Sequence, residues 1–297
     1  MTRVRRTAFA VLVGFVLVAA GACSSGGSTN SPAAGSTGTA SVNQSDPNAI
    51  ITSVINGGSD IKSFHIKIAV SGTLTKEALQ AELADEGITV TSDVKLDGTS
   101  VEGDVDVANS AVHLTANVPA LPMFGNTAIT GDLILVDNVL YYKASLLGPK
   151  YSKMDLSDLT SGLPVAIPSV LPTPGASEMS SVTDEIDQLR TEMQQEGVTA
   201  TLVGTDQIGG QTANHINISV PIDKINAEIA AEASGGPSMT LDSASVDFWV
   251  YQSNNRLAQI EIKGASSALG NIDLVITITN YDQPVTITAP DASQIGS

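Results

Sequence analysis

The sequence predicts an α+β protein built on a mostly antiparallel sheet of about ten strands with a few short helices. Three observations lead there. Apolar and polar residues alternate with a period of two in segment after segment, as in Val101, Val105 and Val107 against Glu102, Asp104 and Asp106. Turn dipeptides separate neighbouring segments, Asp137-Asn138 and Gly209-Gly210 being the clearest. Few segments are joined by the long helical crossovers that a parallel sheet requires.

Taken in order, Asp46-Pro47 followed by Ala49, Ile50, Val54 and Ile55 reads as an N-capped short helix stopped by Gly57-Gly58. Strands follow at Ile66, Ile68 and Val70, at Val101–Val107, and at Val112, Leu114, Ala116 and Val118. In each, one face is apolar and the other wet. Thr75 to Glu86, with Leu79 and Leu83 at helical spacing, reads as a short helix inserted early in the sheet. Ile134–Val136 and Val139–Tyr142 form a hairpin around Asp137-Asn138; Leu202-Val203 and Ile216–Ile218 form another around Gly209-Gly210. Ser181 to Glu196 is an amphipathic helix, with Val182, Ile186, Leu189 and Met193 on one face and acids in its first turn. Pro221 to Ala233, carrying Ile222, Ile225 and Ile229, is a third, ended by Gly235-Gly236-Pro237. The last strands lie at Val246, Phe248 and Val250, at Ile260 and Ile262, and at Ile272, Leu274, Ile276 and Ile278.

One segment fits neither period. Between Leu159 and Gly175, Pro164, Pro168, Pro172 and Pro174 forbid a continuous helix, yet Leu163, Val165, Ile167, Val170 and Leu171 are too apolar for a solvated loop. It is either a loop packed on the core or a lid over the mouth of an apolar cavity.

Composition removes several function classes. The 297 residues carry 14 Lys+Arg against 31 Asp+Glu, a net charge of -17, and only 4% are aromatic. That charge repels phosphate backbones and the aromatics offer little base stacking, so a nucleic-acid partner is not expected. A single cysteine permits neither an internal disulfide nor a thiolate metal cluster.

The N-terminus explains that cysteine. Arg3, Arg5 and Arg6 precede an uncharged apolar run from Ala8 to Ala20, and Gly21, Ala22 and Cys23 follow. The run is short for a bilayer span, which needs about 20 apolar residues, so 1–22 reads as a cleaved signal. Ala20-Gly21-Ala22-Cys23 resembles a bacterial lipobox, in which Cys23 is diacylated and becomes the first mature residue; an ordinary signal with an incidental cysteine is the alternative. Two acyl chains hold a protein on a membrane where one does not. Residues 24–45 are Ser, Gly, Thr, Ala, Val, Asn and Gln with one Pro and no charge, a flexible tether of about 25 Å r.m.s. reach. Residues 46–297 are read as one domain. Removing residues 1–22 takes away three arginines and no acid, leaving 11 basic residues against 31 acidic, or -20. Such a chain is not expected to hold anionic lipid through a polybasic patch, so anchoring is assigned to Cys23.

Catalytic and metal signatures are missing. His65, His113 and His215 fall among the polar positions of predicted strands and share no metal-ligand spacing. No GxSxG, GxxxxGK or GxGxxG occurs. Ser59-Asp60-Ile61-Lys62 matches SxxK, but Thr73 to Lys76 and Ser92 to Lys95 match as well and no KTG accompanies them. Asp93, Asp97 and Gly98 align with a calcium loop, against which Lys95 stands at a ligand position. Asp104 and Asp106 share a wet strand face as solvating charges. No cofactor, metal or catalytic residue is expected.

The order of parts resembles the mycobacterial LppX/LprA/LprF/LprG lipoprotein family. The stretches that carry the resemblance are Gly204-Thr205-Asp206-Gln207-Ile208-Gly209-Gly210 through His215-Ile216 into Val220-Pro221-Ile222-Asp223, and Asn271-Ile272-Asp273-Leu274 through Asn280-Tyr281-Asp282-Gln283-Pro284-Val285-Thr286-Ile287. Phe248-Trp249-Val250 before Arg256-Leu257 fits the same pattern. The resemblance implies a U-shaped half-barrel, helices over its concave face, and an apolar cavity for acyl chains of lipids or glycolipids. It also implies carriage of such lipids across a bacterial envelope, with an envelope lipid transporter as partner. The Thr75–Glu86 insertion and the Leu159–Pro174 segment depart from the pattern.

The expected cavity wall is Val105, Val107, Leu114, Ile134, Val139, Tyr141, Ile216, Ile218, Val246, Phe248, Ile260 and Ile262. The expected cover is Leu163, Ile167, Leu171, Ile186, Leu189, Ile225 and Ile229. The reading is thus an extracytoplasmic, lipid-anchored, lipid-binding protein with an aliphatic cavity. The competing readings are an acyl-anchored structural or interaction lipoprotein with a packed core and, third, an extracytoplasmic hydrolase.

Overall fold

The computed structural model describes residues 42–57, 60–83, 89–121, 127–156, 197–232 and 240–296. Helix α1 (Pro47–Gly57) opens the fold. Asp46 caps it, its Oδ1 accepting the amide hydrogens of Asn48 at 2.9 Å and Ala49 at 3.3 Å. Then come β1 (Ser63–Leu74), α2 (Lys76–Leu83), β2 (Val94–Lys95), β3 (Thr99–Asp106), β4 (Ala111–Leu121), β5 (Thr127–Val136), β6 (Val139–Ala144) and β7 (Ser152–Asp155). The second half contains β8 (Thr199–Ile208), β9 (Gln211–Ser219), α3 (Ile222–Glu232), β10 (Ser243–Tyr251), β11 (Leu257–Ser266) and β12 (Gly270–Thr279).

All pairings between these strands are antiparallel. They make one 12-stranded sheet in the order β7-β6-β5-β4-β3-β1-β12-β11-β10-β9-β8, with β2 added to the end of β1. The sheet is curved and open, its edges being β7 and β8. The count exceeds the expected ten because the short β2 and β7 carry too little pattern to read. Both expected hairpins form: Asp137 and Asn138 have φ of 52° and 60°, Gly209 and Gly210 56° and 80°, the left-handed pair a type I′ turn needs. The Thr75–Glu86 helix is described as Lys76–Leu83, with the Ala78 amide donating to Thr75 Oγ1 at 3.3 Å. The expected helix at Ser181–Glu196 and the proline-rich Leu159–Gly175 segment lie outside the described residues.

Register sorts the side chains onto two faces. On one face, Ile66, Ile68 and Val70 of β1 sit beside Ile278, Ile276 and Leu274 of β12. Ile276 and Leu274 face Ile260 and Ile262 of β11, which face Phe248 and Val246 of β10. These meet Ile216 and Ile218 of β9, which pair with Leu202 and Ala200 of β8. In the other direction the row continues through Val101 and Val105 of β3, Leu114 and Val112 of β4, Leu133 and Leu135 of β5, and Tyr142 and Leu140 of β6. One aliphatic surface therefore runs across ten strands. Glycines interrupt it: a Cβ on Gly103 would fall 1.9 Å from the His113 carbonyl oxygen, so β3 and β4 approach there in a way only glycine permits.

Candidate functional site

The apolar face has two halves. Over β8, β9 and β10 its centre is sealed: Ile50 of α1 packs on Ile216, Ile218 and Val250, while Ala200, Leu202, Val246 and Phe248 around them are part-buried. Ile50 and Ile216 are 0% exposed and Val250 is 1% exposed. Ile260, Ile262 and Ile276 extend this core beneath Val54. Over β1, β3, β4, β5 and β6 the same face is only part-buried at Ile66, Ile68, Val101, Val105, Val112, Leu114, Leu133, Leu135, Leu140 and Tyr142.

The expected wall divides accordingly. Val105, Leu114, Ile216, Ile218, Val246, Phe248, Ile260 and Ile262 all belong to the apolar face, and Val107 lies in the turn just after β3. Ile134, Val139 and Tyr141 do not, which corrects the expectation. Ile134 stands opposite His113 on β4 and Tyr141 on β6, and Val139 opposite Val136, all on the polar face. Their place on the apolar face belongs to Leu133, Leu135, Leu140 and Tyr142. Leu133 to Val136 and Val139 to Tyr142 are unbroken apolar runs, so a period of two cannot say which half points inward; only the pairing with β4 does. The part of the cover formed by Ile225 and Ile229 lies part-buried on α3, tied down where Asn226 Oδ1 accepts the Leu241 amide hydrogen at 2.8 Å. Leu163, Ile167, Leu171, Ile186, Leu189 and Cys23 lie outside the described residues. The residues that sequence reasoning missed are Ile50 and Val54: the spacing of α1 was legible, its docking was not.

The polar face carries the charged pairs. His215 stacks on Trp249 with ring centroids 4.3 Å apart. Its Nδ1 lies 3.3 Å from Asp206 and its Nε2 2.9 Å from Asp247, while Trp249 Nε1 donates to Asp206 Oδ2 at 2.8 Å. His65 lies between Asp104 and Glu102, at 2.8 and 3.3 Å. Glu102 is held below its ordinary pKa, first by the hydrogen bond from Lys67. Asp273, between Lys263 and Ser71, is raised by burial and then by Glu261. Asp93 and Asp97, the calcium-loop candidates, accept backbone hydrogens from Lys76 and Gly72 instead. Among the described residues no cluster of three or more metal-binding side chains occurs, and no helix is long and apolar enough to cross a membrane.

The chain after β12 crosses this polar face. It leaves a cleft of about 280 Å³ lined by His113, Ile134, Tyr151, Ile287, Asp291 and Gln294, among others. Tyr151 is 6% exposed and donates to Asp132 Oδ2 at 2.9 Å. Burial and then that carboxylate push its pKa up to about 12, so it remains a neutral donor. Ile134 thus belongs to the seat of the C-terminal segment.

An open antiparallel sheet with one aliphatic and one charged face is the class this geometry defines. No protein-family model matches the chain, and no curated protein matches it. Among solved structures it is similar to the Mycobacterium tuberculosis lipoprotein LppX, at 16% identity and a TM-score of 0.41, covering 81% of this chain and 97% of that one. It is likewise similar to LprF from Mycobacterium bovis, at 16% identity and 0.42, covering 82% and 96%. A lower similarity, 10% identity and 0.28 over 84% and 59%, is to MucB in the Pseudomonas aeruginosa MucA/MucB complex. The expected group is therefore present among the structural neighbours.

Proposed function

We propose that this chain is an envelope lipoprotein, anchored by diacylated Cys23, that binds lipid acyl chains against the part-buried half of its apolar face and carries or presents them outside the cytoplasm. The binding is non-catalytic. The observation that carries the reading is the contrast between the halves: the centre of the β8–β10 half is fully buried under Ile50, whereas none of the ten aliphatic or aromatic positions from Ile66 to Tyr142 is more than part-buried. A folded monomer seldom leaves so long an aliphatic surface incompletely packed without a use for it. Methylene chains suit such a surface, each buried methylene contributing about 0.8 kcal/mol with no polar partner. Lipids or glycolipids would be the cargo and an envelope transporter the donor or acceptor.

Native mass spectrometry of the protein mixed with envelope lipids tests this. Retained lipid is the expected result, and Leu114→Trp or Leu133→Trp should abolish it while leaving the circular dichroism spectrum unchanged. Bare protein throughout would end the carrier reading in favour of a packed structural lipoprotein. Ile216→Trp is no substitute, because Ile216 is sealed under α1.

A further inference from the structure

The turn between β6 and β7 carries the two most exposed large hydrophobic residues among those described, Leu146 at 59% and Leu147 at 69%. Neighbouring leucines left this bare are unusual unless something covers them. The turn is firmly built. Ser145 N–H donates to the Thr130 carbonyl and Leu147 N–H to the Ala144 carbonyl, both at 2.9 Å, and Thr130 N–H donates to Ser145 Oγ at 3.1 Å. Its base is clamped by the C-terminal segment, where Tyr151 N–H donates to the Gln294 carbonyl at 2.9 Å and Gly296 N–H to the Tyr151 carbonyl at 2.8 Å. The leucines are thus presented on a rigid platform.

The segment that carries them, between Asp137 and Asp155, has positive charges only. In a chain of net charge -17, residues 138–154 contain Lys143, Lys150 and Lys153 and no Asp or Glu. Lys143 lies over the Tyr151 ring, 4.4 Å from its centroid, and 3.9 Å from Asp132. Lys150 and Lys153 are exposed and make no ion pair among the described residues. Two bare leucines with exposed lysines in the same short segment match the boundary of an anionic bilayer, where leucines enter the acyl region and ammonium groups remain at the headgroups. A protein partner would need a groove fitted to two leucines; a lipid surface needs no fitted shape. We propose that the Leu146-Leu147 turn is a membrane-docking tip for anionic lipid surfaces, separate from the N-terminal anchor and from the apolar face. The overall charge argues against such a patch, but this one segment concentrates lysines locally.

The full chain, carried by its own N-terminus in immobilised neutral phosphatidylcholine vesicles, tests this by the fluorescent acceptor vesicles it captures. Acceptors containing phosphatidylglycerol should be captured and pure phosphatidylcholine acceptors should not. Leu146→Ser with Leu147→Ser should lower capture about tenfold or more. Lys150→Glu and Lys153→Glu should each lower it about fivefold or more, and salt that shortens the Debye length to about 3 Å should erase the lysine effect. These are exposed positions, and unchanged thermal melting of each variant checks that the fold is intact. Equal capture of neutral and anionic acceptors, or capture unaffected by both sets of substitutions, overturns the proposal. So does a leucine variant that changes only the oligomeric state, which would assign the turn to a second copy of the chain. Lipid extraction is not read here, so the result stands apart from the carrier reading.

Discussion

Asp282 shows why stretches without catalytic pattern nonetheless carry information. Its Oδ1 accepts the Lys62 amide hydrogen at 2.8 Å, its own amide donates to the Ser63 carbonyl at 2.9 Å, and its other oxygen pairs with Arg256. Arg256 also lies 5.0 Å from the centre of the Tyr281 ring, and Tyr281 donates to the Leu257 carbonyl at 2.7 Å. The Asn280–Gln283 run is therefore a clasp joining β12, the start of β1 and the turn before β11. Burial alone would raise the Asp282 carboxyl, but the Lys62 amide and Arg256 together outweigh it and hold it below its ordinary value of 3.8. A depressed folded pKa contributes stability that is complete above the unfolded value and lost as pH falls through the folded one. Resistance of the wild type to urea unfolding should accordingly fall below about pH 4, and Arg256→Gln should shrink that acid-dependent part; an unchanged pH profile in the variant would show that the clasp is not what titrates. The Asp206–Trp249–His215 cluster is a second clasp of this kind, binding β8 to β10 across β9.

At the scale of elements, what was legible depended on whether a strand had two different faces. Strands β3 and β4 alternate cleanly, so their inward residues Val105 and Leu114 could be assigned before any pairing was known. Strands β5 and β6 are apolar on both faces because the inner one belongs to the aliphatic surface and the outer one lies under the C-terminal segment, and the sequence alone could not separate them. The docking of α1 was equally hidden: its spacing marks an apolar stripe, not the strands that receive it. That docking has a measurable weight. Ile50→Ala removes a 0%-exposed side chain and should cost about 2–5 kcal/mol in chemical denaturation. Ile216→Trp should overpack the same layer and cost about 1–3 kcal/mol. Losses below about 0.5 kcal/mol would mean that α1 is not part of the core. Gly103→Ala places a methyl group against the His113 carbonyl, and a loss of about 1–3 kcal/mol is expected there as well.

At the scale of the molecule, the described part is one continuous sheet, preceded in the proposed reading by an N-terminal address and a tether. The address is tested directly by the mass of the membrane-extracted protein, which should correspond to a chain beginning at Cys23 with its acyl chains attached. Cys23→Ala should yield no acylated species and should release the protein from the membrane fraction; an unchanged distribution would remove the lipobox reading. With the signal cleaved as proposed, the charge of -20 would favour solubility of a protein with a large aliphatic surface. The average conceals its distribution, since residues 138–154 hold Lys143, Lys150 and Lys153 along with the bare Leu146 and Leu147 and no acid.

The sequence by itself determined what depends on short-range order: strand periodicity, the φ > 0 turns at Asp137-Asn138 and Gly209-Gly210, and the cap at Asp46. These are read within a few residues, so no folding is needed to see them. The tertiary structure decided which face of β5 and β6 turns inward and which half of the aliphatic surface α1 seals. Each of those depends on pairing between segments tens to hundreds of residues apart, and a strand's period of two fixes alternation without fixing direction.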